Sequence, residues 1–576
     1  MSREISILWC GADPGIYTGY GKVNFELLSR LLLTKDPATD KYISKNTDLF
    51  VTHYALFSVS SSNGGPQRFR KLESSNLSYT NYCVMNNEMG LSAFATTVKQ
   101  IRPDIIFIYN GIVEVLTLIN SCREIMPTKT KIITYLDIYY DHIRSDYIAN
   151  YNKVIHSTIV FSEFQVKVCK ESGMTTPIHI LPHGINKDII QRVDDKNKVK
   201  LAIGLPVTSF LVSVANKNQF RKRYDTLLQS WARFCKLWFD NFGEKYDKMI
   251  EKINEITTFE ELLEIPDPNN KIYKEFLTEY VTQNGTLRYR LPILMTICHA
   301  VAPEGWDIQE LAYMYFAKEF INAAGSKLSI NHTKQQRKAV FALLNKHLII
   351  KDTKKNQIED GDMNLINNAT DLGICTSMAE GVGLCHLEQA YLGVPQIIGN
   401  FSGLPYALPP PANISNIEKW TPNKPPPSSI VLDGETIEVN GPESIITREE
   451  DKNITGVFAI DAKIALVNVN NIENSMSEIY LMDPYEIADT ILKLYSNPEY
   501  IEESAKNIKK YYDNNPAIDW NLHAEKLNTY LRSVLEHTPT QSPEQITPSL
   551  PEQTPSEQSS DTGIESIDHS EPDNVV

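Results

Sequence analysis

The eight cysteines, at positions 10, 83, 122, 169, 235, 298, 375 and 385, include no CxxC pair. That absence argues against a zinc ribbon or a thioredoxin-like site and leaves reduced, mostly buried thiols as the expectation. The chain also lacks any uninterrupted apolar stretch of 18 or more residues, so no transmembrane helix is predicted. Met1-Ser-Arg-Glu leads into Ile5-Ser-Ile-Leu-Trp-Cys10 without a basic segment and small-residue cleavage site, so a cytoplasmic protein without a secretory signal is expected. Positive charge is in short supply: 56 Lys and Arg stand against 71 Asp and Glu, a net −15 that disfavours a general nucleic-acid binder. Part of the imbalance is local, because Thr538–Val576 holds eight acidic residues and no Lys or Arg. The rest of the chain carries only about −7, which leaves room for a basic anion pocket.

What is present is ordinary globular material, with 42% hydrophobic and 22% charged residues in 576. That length is enough for three or four domain-sized units, or for two large ones with insertions. Short apolar runs alternate with amphipathic segments. Ile5–Cys10, Leu49–Leu56, Ile105–Tyr109, Lys131–Leu136, Thr158–Phe161 and His179–Leu181 read as strands, and a second series follows at Phe210–Val214, Ile293–His299, His347–Lys351, Leu372–Cys375 and Val394–Ile398. Such alternation predicts two α/β domains in tandem, each with a doubly wound parallel sheet.

Two stretches interrupt the pattern. A charged helix-forming segment at 236–284 reads as a surface insertion, and 404–446 is irregular, with Pro409-Pro-Pro411, Pro425-Pro-Pro427 and a possible hairpin around Asp433-Gly434. Helical periodicity returns at Asp483–Tyr495, Glu502–Tyr512 and Trp520–Leu535. The Ser-, Thr-, Pro- and Glu-rich tail from 537 to 576 is expected to be disordered, and its Ser/Thr-Pro pairs at Thr538, Ser542, Thr547 and Thr554 are candidate phosphorylation sites.

Chemistry has three places to sit. The first is the Gly-rich loop Gly11-Ala-Asp-Pro-Gly15-Ile-Tyr-Thr-Gly19-Tyr-Gly21-Lys-Val, between a strand and a helix, which is either a phosphate cradle or a tight turn. Asn24 breaks the dinucleotide fingerprint, and Ile16 and Val23 break the P-loop pattern. The second is Asp371 to Pro395, where Glu380, Gly381 and Gly383 precede a helix starting near Leu384, with Glu388 about one turn inside it. Glycines there let a ligand reach the backbone, and the helix start favours a diphosphate. Two carboxylates beside an anion make sense if they face sugar or ribose hydroxyls; the alternative is a glycine turn with two solvated carboxylates. The third is Asn216-Lys217-Asn218-Gln219-Phe220-Arg221-Lys222-Arg223, a run of cations after a strand, either at a ligand site or on a solvated face.

The Glu380-x7-Glu388 pair within Glu-Gly-Val-Gly-Leu, followed by Leu-Glu-Gln-Ala-Tyr-Leu-Gly-Val-Pro, resembles the signature of the retaining glycosyltransferases of family four, the group 1 glycosyltransferases, which have the GT-B fold. Ile180-Leu-Pro-His183-Gly-Ile-Asn186, Ser162-Glu-Phe-Gln-x-Lys, Asn216 to Lys222 and Gly19-Tyr-Gly21 resemble further segments of that family, in the same order.

The resemblance implies two Rossmann-like domains facing a cleft. Residues 1–195 would form the acceptor side and 196–505 the nucleotide-sugar side, with 506–536 returning to the first domain. It implies transfer of a sugar, with retention of configuration, from a nucleotide-diphosphate donor to a glycan, protein or lipid-linked acceptor. No cofactor or metal is implied, and peripheral membrane association is compatible with it. Lys217 and Lys222 would meet the donor diphosphate. Glu380, with the amides of Gly381, Gly383 and Leu384, would address donor sugar and phosphate, Glu388 the ribose, and Gly19 and Gly21 the donor from the N-terminal side. Glu380 and Lys222 are the implied catalytic pair.

The sequence departs from the family at Lys217, where an Arg is usual, and at Leu136-Asp137, where many members have His-Asp. His142 and His183 are substitutes for that histidine, and an idle GT-B scaffold that binds nucleotide is the alternative function. Asp360-Gly-Asp362 matches a metal-binding Asp-x-Asp pattern but reads better as helix capping before Met363–Ala369.

Overall fold

A computed structural model gives the fold. It describes residues 3–16, 18–39, 41–56, 77–81, 90–256, 276, 278–281, 286–303, 305–321, 332–356, 358–411, 430–432, 435–437, 455–462, 464–467, 478–513 and 515–536. The candidate phosphorylation sites and the rest of 537–576 lie outside the described residues.

The apolar runs of the first third become strands Ile5–Ala12, Leu49–Leu56, Leu77–Asn81, Ile105–Asn110, Lys131–Leu136, Ser157–Val160 and Ile178–Ile180. Counted in chain order they lie side by side as 3-2-1-4-5-6-7, every neighbour parallel. The second sheet has six parallel strands, Ser209–Ala215, Leu291–Cys298, Leu348–Asp352, Leu372–Ile374, Gln396–Gly399 and Val457–Ile460, in the order 3-2-1-4-5-6. In both sheets the order reverses beside the first strand, the kind of position at which doubly wound sheets in general bind ligands, outside the carboxyl ends of the strands. Strands buried on both faces read as continuous apolar runs, which is why the expected strands agree with the observed ones to within two residues. The edge strands Leu77–Asn81 and Val457–Ile460 are additions to the expected set.

The stretch that charge marks as a surface insertion proves to be core over its first part. One helix of 33 residues runs Tyr224–Ile256 and buries Trp238, Tyr246, Met249 and Ile253 against the second sheet. Trp238 donates its indole N–H to the Tyr495 hydroxyl at 2.8 Å. Residues 257–275 lie outside the described set. The hairpin around 433–434 is present as antiparallel Ile430–Leu432 and Glu435–Ile437. Asp360 and Asp362 occupy the first turn of the helix Asp360–Ala369 instead of a loop before it, where carboxylates favour the helix dipole.

A hydrophobic cluster joins the two sheets: it includes Ile7, Phe107 and Tyr135 from the first, Ile398 and Val457 from the second, and Leu27, Leu387, Leu404, Tyr512 and Trp520 from helices. Residues up to Leu535 accordingly form one compact unit. No helix among the described residues is long and apolar enough to cross a membrane. Seven of the cysteines are described, and all but Cys385 are buried; burial pushes the Cys169 thiol up to about 12.

Candidate active site

The first Gly-rich loop leaves the end of the strand Ile5–Ala12 and folds tightly back on itself. Asp13 Oδ1 accepts from the Gly15 amide at 2.7 Å, and Thr18 caps the helix Gly19–Leu32 by accepting from the Gly21 amide at 3.1 Å. A Cβ at Gly21 would lie 2.5 Å from the Ile16 carbonyl oxygen, so this turn admits only glycine. Asn24, which breaks the dinucleotide fingerprint, ties helix to strand instead, accepting from the Trp9 indole at 2.8 Å and donating to the Ala12 carbonyl at 2.9 Å.

The second Gly-rich loop follows the strand Leu372–Ile374 and ends at the helix Leu384–Tyr391. Gly383 precedes that helix at φ 66, and a Cβ on it would sit 2.9 Å from Leu404 Cδ1. The His386 amide bonds the Gly383 carbonyl at 2.8 Å, while the amides ahead of it have no acceptor one turn back and lie at the positive end of the helix dipole. The loop meets the N-terminal half on both sides of this helix start. A Cβ at Gly19 would lie 3.5 Å from Leu384 Cδ1, and one at Gly381 would lie 2.9 Å from Asp137 Oδ1.

Between these loops lies a buried group of charges. Lys222 Nζ pairs with Glu380 Oε1, and Arg221 Nη1 lies 3.6 Å from Glu380 Oε2. Ser377 donates to Glu380 Oε1 at 3.2 Å. Burial by itself would raise the Glu380 pKa, but Lys222 and Arg221 beside it hold it down to about 2, so the carboxylate is ionised. Arg221 also donates to the Ala379 carbonyl at 3.1 Å and stacks 4.8 Å above the Tyr139 ring. Glu388 pairs with Lys22, a residue of the opposite half. Asp137 accepts from the Tyr20 hydroxyl at 2.5 Å, and burial raises its pKa against the pull of Tyr20 and Arg221.

No protein-family model matches this chain, and no curated protein matches it. Solved structures do. Sucrose-phosphate synthase from Thermosynechococcus elongatus superposes with a TM-score of 0.51 at 11% identity, over 92% of this chain and 99% of its own. A glycosyltransferase from Rickettsia africae gives 0.50 at 11% identity, over 93% and 100%. The chain has the GT-B fold.

Within the GT-B frame, the residues singled out by sequence fall into two sets. Gly19, Gly21, Lys222, Glu380, Gly381, Gly383, Leu384 and Glu388 come together where the two Gly-rich loops meet. Lys217 is exposed on the loop after Ser209–Ala215, and the cations next to Glu380 are Lys222 and Arg221. His142 is exposed. His183 is buried against Phe161, with ring centroids 4.1 Å apart, and burial pushes its pKa down to about 3. Sequence reasoning missed Tyr20 and Lys22 as site residues, and within the candidate cation run it singled out Lys222 and not its neighbour Arg221. Lys22 had a signal, since it directly follows the constrained Gly21 at a helix start; Tyr20 had none beyond its place between two glycines. No three His, Cys, Asp or Glu side chains among the described residues gather as a metal site would need.

Proposed function

We propose that this protein transfers a sugar from a nucleotide-diphosphate sugar to an acceptor hydroxyl, retaining the anomeric configuration and requiring no metal. The observation that carries the proposal is the meeting of Glu380 and Glu388 on either side of one helix start, each ion-paired with a buried lysine. That arrangement supplies what a nucleotide sugar needs. Helix-start amides and cations suit the diphosphate, while two carboxylates suit hydroxyl groups on the sugar and the ribose. Two proteins that share the fold, one titled a sucrose-phosphate synthase and the other a glycosyltransferase, support the reading.

In this scheme Glu380 and the amides of Gly381 to Leu384 orient the donor sugar and its phosphates, and Glu388 takes the ribose. Lys222, with Lys217 at the rim, stabilises negative charge on the departing diphosphate. The acceptor oxygen attacks the anomeric carbon from the face that the phosphate leaves. The bond from that carbon to the phosphate oxygen breaks, and the acceptor proton passes to that same oxygen. The acceptor, a glycan, protein or lipid-linked sugar, enters from residues 1–195, and the donor is held mainly by 196–505.

Purified protein incubated with UDP-, GDP- and ADP-sugars and a panel of acceptors, in the presence of a chelator, tests this. The expected result is nucleotide release with one base, unchanged by the chelator, and a product whose anomeric coupling in NMR matches that of the donor. Release abolished by the chelator refutes metal independence, an inverted product refutes retention, and no binding of any donor refutes the donor site. A second reading, an idle GT-B scaffold, is favoured by the exposure of Lys217 and by Leu136 standing where the family has histidine. It predicts nucleotide binding without turnover.

A further inference from the structure

Lys22 is a buried cation on the half of the molecule opposite the carboxylate it pairs with. It sits one residue after Gly21, in the first turn of Gly19–Leu32, where its amide bonds the Thr18 carbonyl at 3.0 Å. The crowding at Gly21 fixes that turn, so the direction of Lys22 is set by the backbone and not left to a mobile loop. Its side chain is 8% exposed and that of Glu388 11%.

The buried cations of the C-terminal half do not by themselves balance a diphosphate. Arg221 and Lys222 both face Glu380, which cancels one of their two positive charges. A nucleotide-diphosphate sugar brings a negative charge on each phosphate, and an uncompensated charge in a buried site is strongly unfavourable. When Glu388 turns to the ribose hydroxyls, Lys22 loses an ionic partner at the moment the diphosphate arrives. We propose that Lys22 is a donor-binding cation that passes from Glu388 to the diphosphate, so that the N-terminal half supplies a positive charge to a site whose other buried cations come from the C-terminal half. This rests on the donor site argued above. It also assigns Glu388 two successive roles, as counter-ion of Lys22 and as ligand of the ribose.

Calorimetric titration of the full chain tests it, first with UDP, GDP and ADP to find the base, then with that nucleoside and with inorganic pyrophosphate. For Lys22→Met the diphosphate should bind at least tenfold more weakly than to the parent, while the nucleoside changes less than threefold. For Glu388→Gln the nucleoside should weaken and pyrophosphate should bind at least threefold more tightly, because the lysine is released. Equal weakening of nucleoside and diphosphate in Lys22→Met makes the lysine a mere support for Glu388 and overturns the proposal, as does unchanged diphosphate binding. If Lys22→Met does not fold, weaker or unchanged pyrophosphate binding in Glu388→Gln is sufficient to overturn it. A parent protein that binds none of the three nucleotides refutes the donor site itself, a result distinct from either of these.

Discussion

At Glu380, burial and charge pull in opposite directions, and charge wins. A carboxylate held down to about 2, against an ordinary value of 4.5, contributes stability that is complete above the ordinary value and is lost as pH falls towards the lower one. The shift corresponds to about 3 kcal/mol, in the range for breaking a buried pair. Glu380→Gln should therefore be less stable than the parent by about that amount at pH 7, with the gap constant down to about pH 5 and closing between about pH 4.5 and 2. Denaturant titrations of both proteins across that range check this. A gap that stays constant down to pH 2 rejects the Lys222 and Arg221 pairing as its source. Turnover should fall at least a hundredfold in the same variant at every pH, because the amide cannot hold the two cations in place for the departing phosphate.

The long helix Tyr224–Ile256 shows where local sequence patterns mislead. From Lys236 onward its surface is crowded with Asp, Glu and Lys, and a charged stretch in a position where a strand is due reads as an insertion. The apolar positions Trp238, Tyr246, Met249 and Ile253 nevertheless recur at helical spacing, and they are the face that the second sheet covers. Trp238→Ala should remove a fully buried ring and the hydrogen bond to Tyr495, costing about 3 to 5 kcal/mol, whereas Glu251→Ala, at an exposed position of the same helix, should change stability by less than about 0.5 kcal/mol. Urea melts of the two variants check the contrast, and similar losses in both would return 236–256 to the surface. The sheet strands were legible because parallel strands are apolar on both faces. Glu380 and Glu388 were legible because a short motif fixes their spacing along one loop and helix, and Lys222 because it falls in the run of cations after Ser209–Ala215. Lys22 and Tyr20 were not, since their value comes from partners 366 and 117 residues away that no local pattern encodes.

Across the whole molecule, the C-terminal helix Trp520–Glu536 closes the chain onto the sheet where it began. The Ile185 amide bonds the Ile518 carbonyl at 2.8 Å, and Gly184 lies so close to the Trp520 ring that a Cβ would come within 2.9 Å. Further along, Tyr530 pairs with Ser157 and packs tilted against His179 with ring centroids 4.3 Å apart, while Arg532 grips Asp48 through bonds of 2.6 and 2.9 Å. Trp520 itself belongs to the hydrophobic cluster that also holds Leu27, Phe107 and Leu387. A ring so placed does more than pin one helix, since its removal leaves a cavity shared by every element that lines it. Trp520→Ala should therefore speed amide exchange, by at least tenfold, in Ser157–Val160, Ile178–Ile180 and Gly19–Leu32, the last of these carrying Lys22 to Glu388. The strand Leu291–Cys298, whose side chains pack in the core around Trp238, should exchange at its original rate. Hydrogen-exchange mass spectrometry resolves these segments. Acceleration confined to 520–536 would make the helix a peripheral strap; acceleration reaching Gly19–Leu32 would tie the C-terminal helix to the geometry of the proposed donor site.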